Sequence, residues 1–177
     1  HLQELDLLIQ GFVAIRRERE LNGWQLHLLG AGAQLDTLKQ QVAELNASDE
    51  VIFHPAVSRD DAVKRMEEAD LLYLNLKQNP TLERTIPSKV FDYLIAARPI
   101  IAGLAGEGQT LLESTEANVV FPPGDIEALK KSLLSAIDGL PNLDEKARLN
   151  RQLVLDNFSR EMAVQQLEKV FKKLVKR

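Results

Sequence analysis

The apolar positions along this chain switch repeatedly between helical and strand-like spacing. Over residues 2–17, Leu5, Leu8, Ile9, Phe12 and Ile15 recur at helical spacing and share one face. Asn22-Gly23 breaks that run, and residues 24–29 (WQLHLL) read as a strand ending in Gly30-Ala31-Gly32. Leu35, Leu38, Val42 and Leu45 form the stripe of a second helix, and residues 51–54 (VIFH) a short strand. Ser58 is the expected N-cap of a helix over 59–68, because its hydroxyl can accept an orphan backbone amide. Residues 71–76 (LLYLNL) are apolar nearly throughout, as a strand covered on both faces requires. A polar stretch over 77–86 leads to Pro87 and a helix over 88–97, at whose start a proline loses no needed amide. A strand over 99–103, a helix over 107–116 and a strand over 118–121 follow. Pro122-Pro123-Gly124 reads as a turn and Asp125 as an N-cap. The chain closes with helices over 126–138, 144–157 and 160–175, the last expected to turn Val164, Leu167, Val170, Phe171 and Leu174 inward.

Five short strands separated by helices predict an α/β fold. The expected architecture is a Rossmann-like, doubly wound parallel sheet with helices on both faces and extra C-terminal helices. In such sheets ligands bind outside the carboxyl ends of the strands, where loop and helix-end amides point outward. That restricts the search for a site to residues 30–33, 55–58, 76–89, 103–109 and 122–125.

Composition narrows the function classes. At 177 residues the chain fits one domain, and 45% hydrophobic content is too high for a disordered segment. No apolar run approaches the roughly 18–20 residues that a membrane span needs. Lysine and arginine total 22 against 26 acidic residues, a net charge of -4, which argues against a nucleic-acid partner held by phosphate contacts. Cysteine is absent, which excludes disulfides, thiolate metal sites and cysteine nucleophiles. The sequence opens on His1 with no signal-peptide pattern and is expected to be an excised or processed piece.

Two of the strand ends carry candidate chemistry. Gly30-Ala31-Gly32 stands between a strand and a helix, as a nucleotide-binding glycine turn does. Position 35 is leucine, however, and no acid ends the next strand, so a plain tight turn is the alternative. At Pro87-Ser88-Lys89 the amides of Ser88, Lys89 and Val90 would face an anion, and Lys89 adds a mobile positive charge. Asp92 lies nearly one turn along, where a carboxylate can accept hydrogen bonds from sugar hydroxyls. The same residues also suit a well-started helix with Lys89 and Asp92 in solvent. His1, His27 and His54 share no metal-ligand spacing, and His27 and His54 read as structural. Lys169, Lys172, Lys173, Lys176 and Arg177 form a basic end, read as a solvated face or as an attraction to anionic membrane.

The segments LHLLGAG, VIFHPAVSRDDAVKRMEEADLLYLN, PSKVFDYLIAARPIIAG and NVVFPPGDIEAL occur in that order between residues 26 and 129, and the resemblance they carry runs from about residue 4 to residue 174. Together they resemble the C-terminal domain of the retaining, group 1 glycosyltransferases of the GT-B fold. In that family this half carries most of the nucleotide-sugar site, and an N-terminal Rossmann-like domain supplies the acceptor side. The resemblance implies one domain over residues 1–177, lacking the N-terminal domain and the family's first C-domain strand.

Position by position, the resemblance places Asp92 where the family's second acid binds the nucleotide ribose. The first acid falls at Arg84 with Glu83 beside it, so either Glu83 serves or that acid is missing. The helix-start amides that bind the distal phosphate correspond to Ser88, Lys89 and Val90. Gly30 belongs to the glycine turn, and Pro55, Ala56 and Val57 would lie against the base. The sequence departs from the family at Pro87, Pro55 and Ala97, where glycines are usual, and at Gln3, where a diphosphate-binding lysine is usual. The implied activity is transfer of a sugar from a nucleoside diphosphate with retention of configuration, in polysaccharide or glycolipid assembly. Lys89 and Glu83 are the expected catalytic residues. No cofactor and no metal are expected, and the chain has no Asp-x-Asp motif. The implied partners are the nucleotide sugar, the protein's own N-terminal domain and an acceptor sugar or lipid-linked glycan. The implied location is cytoplasmic, with peripheral contact at the inner membrane face. A non-catalytic nucleotide- or sugar-nucleotide-binding domain is the alternative.

Overall fold

The computed structural model describes residues 2–175. Its elements are α1 (Leu5–Glu18), β1 (Leu26–Leu29), α2 (Leu35–Glu44), β2 (Val51–His54), α3 (Arg59–Glu68) and β3 (Leu72–Asn75). A 3-10 turn at Leu82–Arg84 precedes α4 (Ser88–Ile95), β4 (Ile100–Gly103), α5 (Glu107–Glu113) and β5 (Asn118–Phe121). Three helices close the chain, α6 (Ile126–Asp138), α7 (Leu140–Phe158) and α8 (Arg160–Val175).

All strand pairing is parallel, but the strands do not form the single sheet expected. β1 pairs with β2, Leu26 opposite Val51 and Leu29 opposite His54. Separately, β3, β4 and β5 pair in that order, with Asn75 opposite Gly103 and Gly103 opposite Phe121. β1 and β3 are therefore edge strands, each paired on one side. Side chains of both still reach one core, because Leu26, Leu28, Leu71 and Tyr73 pack on the cluster around α1 and α6. Beyond the end of β3, the Lys77 amide donates to the Leu2 carbonyl at 2.7 Å, so the chain entering α1 runs along the unpaired side of β3.

The central strand shows how the sheet divides the core. Successive side chains of a strand point to opposite faces. Ile100 and Ala102 join Leu72, Leu74, Val90, Leu94, Leu112 and Val154 on one side. Ile101 joins Leu8, Ile15, Leu129, Leu133 and Phe121 on the other. A third cluster, Ile9, Phe12, Val13, Leu38, Val42 and Val51, seats α1 and α2 on the β1–β2 pair. Burying each of these leucines and isoleucines contributes about 1.5–3 kcal/mol before ordering costs.

The C-terminal helices depart from expectation twice. α7 begins at Leu140 rather than near 144, because Pro141 in its first turn suits a helix start. The apolar stripe of α8 faces outward. Val164, Leu167, Val170, Phe171 and Leu174 are each about half exposed or more, at 48%, 57%, 54%, 62% and 61%. Periodicity specified the stripe, but among the described residues no element covers it. Of the basic end, Lys176 and Arg177 lie outside the described residues.

Candidate functional site

The start of α4 brings helix-end amides and Lys89 to the region of the strand ends. Pro87 has φ −59° and ψ 133° and acts as the N-cap, so the helix opens at Ser88, as the expected range 88–97 has it, and ends at Ile95, two residues short of that range. The first amides of a helix have no intrahelical acceptor, and they carry the positive end of its dipole. Val90 is an exception to the expected trio. Its N–H donates to the Pro87 carbonyl at 2.9 Å, closing the first turn, and its side chain is fully buried in the core. Ser88 and Lys89 supply the outward-facing amides, while Val90 anchors the helix beneath them.

Lys89 faces the glycine turn across a cavity of about 540 Å³. Gly30, Ala31, Gly32, Ala33 and Gln34 line one side, with Leu28 and Leu29 below them and Leu2, Gln3 and Leu5 at the entrance to α1. Gly30 has φ +137°, a conformation that side chains rarely adopt, and its N–H donates to the His54 carbonyl at 3.1 Å. This bond fixes the turn to the neighbouring strand, and the glycine lets backbone approach the cavity. Pro55, Ala56 and Val57 do not line this cavity; Pro55 and Ala56 lie in an exposed loop, and Phe53 is the contribution from β2.

Asp92 lies on α4 with its carboxylate 43% exposed and 3.7 Å from the guanidinium of Arg59. Arg59 opens α3, whose start is held by Ser58: the Asp61 N–H donates to Ser58 Oγ at 3.1 Å. Beside Asp92, Tyr93 is partly buried. Burial first, and then the Asp92 carboxylate, push its phenol above the usual range. Arg59 was not legible as a site residue from sequence, since the ion pair joins positions far apart in the chain.

Glu83 and Arg84 fall in the 3-10 turn after β3. Glu83 lines a different cleft, about 10 Å³, with Leu76, Lys77, Thr85, Leu104 and Pro123. Lys89 and Glu83 thus border separate cavities rather than facing one another across one. The Glu83 backbone lies against Gly106, where a Cβ would come within 2.0 Å of the Glu83 carbonyl oxygen and φ is +70°. That close approach locks the turn carrying Glu83 onto the loop after β4.

The two histidines of β1 and β2 engage each other. His27 Nδ1 and His54 Nε2 are 2.8 Å apart and the rings stack with centroids at 5.1 Å. Arg65 approaches the other ring nitrogen of His54 at 3.4 Å. Partial burial, the Arg65 charge and His27, in that order, hold His54 below the usual histidine range.

The architecture is shared with solved glycosyltransferase structures. S. aureus TarM, in a structure with fondaparinux, alpha-GlcNAc-glycerol and UDP, is 15% identical with a TM-score of 0.77, covering 97% of this chain and 33% of that one. Anabaena HepE with UDP-glucose is 17% identical with a TM-score of 0.79, covering 97% of this chain and 46% of that one. The pneumococcal O-GlcNAc transferase GtfA, with UDP and GlcNAc, is 14% identical with a TM-score of 0.74, covering 98% and 33%. At these identities the likeness establishes the fold, and the chain spans less than half the length of each. No curated protein matches it in sequence. A family model described as glycosyl transferases group 1 matches residues 1–138, the region holding the glycine turn, the α4 start and Asp92. The chain belongs to the group 1 glycosyl transferases.

Proposed function

We propose that this domain binds the donor, a nucleoside-diphosphate sugar, for a retaining glycosyl transfer completed by the full-length protein. The observation that carries the reading is the 540 Å³ cavity at the carboxyl ends of β1 and β2, which Lys89 of α4 lines together with the Gly30 turn. The diphosphate suits the Ser88 and Lys89 amides, where helix dipole and lysine charge act together. Asp92, nearly one turn along α4 and outside the residues that line the cavity, is the proposed acceptor of two ribose hydroxyl bonds. TarM and GtfA were solved with UDP and HepE with UDP-glucose, which makes UDP the first nucleotide to test.

During transfer the bond from the anomeric carbon to the distal phosphate oxygen breaks. The acceptor hydroxyl oxygen bonds to that carbon on the face that the phosphate leaves and passes its proton to the departing phosphate oxygen, on which negative charge develops as the bond breaks. Lys89 and the amides beside it stabilise that charge, and no metal is required in this scheme. A positioned donor of this kind is worth about 100–1,000-fold in turnover. Glu83, on the neighbouring loop, is the candidate acid toward the sugar, with Arg84 beside it.

Two features bear on the rest of the protein. The unpaired sides of β1 and β3, with Leu2 already bonded to Lys77, suit one further strand from a preceding segment, which would unite the two sheets. The exposed stripe of α8 suits the acceptor-binding domain or, with the basic end, the inner face of the cytoplasmic membrane. Among the described residues no helix is long and apolar enough to cross a membrane. We place the whole protein in the cytoplasm, in assembly of a polysaccharide or glycolipid, and expect this domain alone to be inactive.

The test is a melting-temperature panel on the full-length protein with UDP, GDP, ADP and NAD. Ligand at 100 times its dissociation constant stabilises by about 2.7 kcal/mol. A shift with one nucleoside diphosphate, lost in Asp92→Ala, together with a 100-fold or larger fall in transfer in Lys89→Ala, supports the reading. A shift with NAD alone overturns it.

A further inference from the structure

We infer that Arg59 is a positioning residue for the donor nucleoside, holding the Asp92 carboxylate in place for the ribose hydroxyls. The inference rests on the donor reading of Asp92 and adds a residue from a different element. Asp92 has one cation within ion-pair distance among the described residues, the Arg59 guanidinium at 3.7 Å. The two side chains come from α3 and α4, so their approach is a property of the fold rather than of one helix. Arg59 is 86% exposed, which makes its pair with Asp92 a weak source of stability. An exposed pair of that kind does little for the fold, so any consequence of losing it would be felt where Asp92 acts.

The chemistry favours cooperation over competition. A carboxylate offers about four lone-pair directions on two oxygens, and a guanidinium presents donors in a fixed planar fork. At 3.7 Å the contact is an ion pair rather than a hydrogen bond, so Arg59 attracts Asp92 Oδ1 while the lone pairs of both oxygens stay open to two ribose hydroxyls. Without it, Asp92 at 43% exposure is free to rotate into water, and ordering it falls on the ligand. The start of α3 stays fixed without Arg59, because Ser58 Oγ caps it through the Asp61 amide and bonds the Asp61 carboxylate at 2.7 Å. Arg59→Ala is thus expected to fold normally.

The experiment is titration of full-length wild type, Arg59→Ala, Arg59→Lys, Asp92→Ala and the double alanine variant with UDP and with 2′,3′-dideoxy-UDP. GDP and ADP with their dideoxy forms replace these if the melting panel selects another base. Arg59→Ala is expected to weaken UDP binding about 3- to 10-fold, Arg59→Lys to recover part of the loss, and Arg59→Ala to add nothing once Asp92 is alanine. With the dideoxy nucleotide, which lacks the hydroxyls, the arginine effect should vanish. If Asp92→Ala weakens binding but Arg59→Ala leaves it equal or tighter, or if the dideoxy nucleotide shows the same arginine effect, the Arg59 inference fails and the donor site stands. If no nucleotide binds the wild type, or Asp92→Ala changes nothing, the donor reading itself fails and takes this inference with it.

Discussion

Asn75, at the end of β3, lies so close against Gly103, at the end of β4, that a Cβ on residue 103 would stand 1.7 Å from Asn75 Oδ1. The asparagine is 2% exposed and cannot simply retreat. Its Nδ2 donates to Glu4 Oε2 at 2.9 Å and to the Gln3 carbonyl at 3.3 Å, tying β3 to the entrance of α1. Phe121 closes the other side, 2.8 Å from the same hypothetical Cβ. Gly103→Ala is therefore expected to overpack this junction, at about 1–3 kcal/mol. Urea denaturation checks it through the transition midpoint; an unchanged midpoint would mean that Asn75 swings away without cost.

Ala97, two residues past the end of α4, has φ +57°, in the left-handed region where glycine is the residue without penalty. Its N–H donates to the Leu94 carbonyl at 3.2 Å, so the helix end forms despite the strain. Ala97→Gly relieves a Cβ clash worth about 1–2 kcal/mol and returns part of that through a more flexible unfolded chain. The expected net is a gain of about 0.5–1 kcal/mol, or roughly 1–4 °C in Tm for a domain of this size. Calorimetry on the two proteins decides it, and a lower Tm for the glycine form would contradict the argument.

The elements were legible where the cause is local. Ser58 and Asp125 were expected as N-caps, and each accepts the amide three residues on, from Asp61 at 3.1 Å and Ala128 at 2.9 Å. Residues 71–76 read as a covered strand because side chains on both faces are apolar, and Leu74 and Asn75 are buried. Pairing order is not carried by periodicity, which is why the division into β1–β2 and β3–β4–β5 was not foreseen. The helix over 160–175 shows the same limit, since its spacing defines an apolar face without saying whether anything covers it. At the site, Lys89 and Asp92 follow from position relative to a helix start. The bond from Val90 to Pro87 and the approach of Arg59 to Asp92 depend on the exact first turn and on two elements meeting.

Asn150 is a second junction held by a buried amide. On α7, 2% exposed, it donates to the Glu116 carbonyl at 2.6 Å and accepts from the Glu116 N–H at 3.1 Å. The side chain thus satisfies both backbone groups of a residue in the turn between α5 and β5. Asn150→Ala leaves that donor and acceptor without their partner, at about 1–3 kcal/mol for each group that water cannot reach. The predicted observable is faster amide exchange at Glu116 together with a lowered denaturation midpoint, while Asn150→Gln, which keeps the amide, should lose less. Equal stability of the alanine form would show that water replaces the bonds.

The stacked pair His27 and His54 predicts a pH dependence with a definite sign. His54 is held below the ordinary value of 6.5 by partial burial, by Arg65 facing one ring nitrogen and by His27 facing the other. In the unfolded chain the same imidazole takes up its proton near pH 6.5, whereas the folded protein resists until lower pH. Between those two values the unfolded state binds more protons, so stability falls as pH drops. Above pH 6.5 the contribution is fully present. The ring is near the surface, so the effect is small, but its direction is fixed. Tm should decline from pH 7 to pH 5.5, and the decline should flatten in His54→Gln. Resolving both imidazoles by NMR tests the cause directly: a midpoint for His54 at or above 6.5 would remove the basis of the prediction, whereas a depressed one that rises in Arg65→Gln would assign the charge responsible.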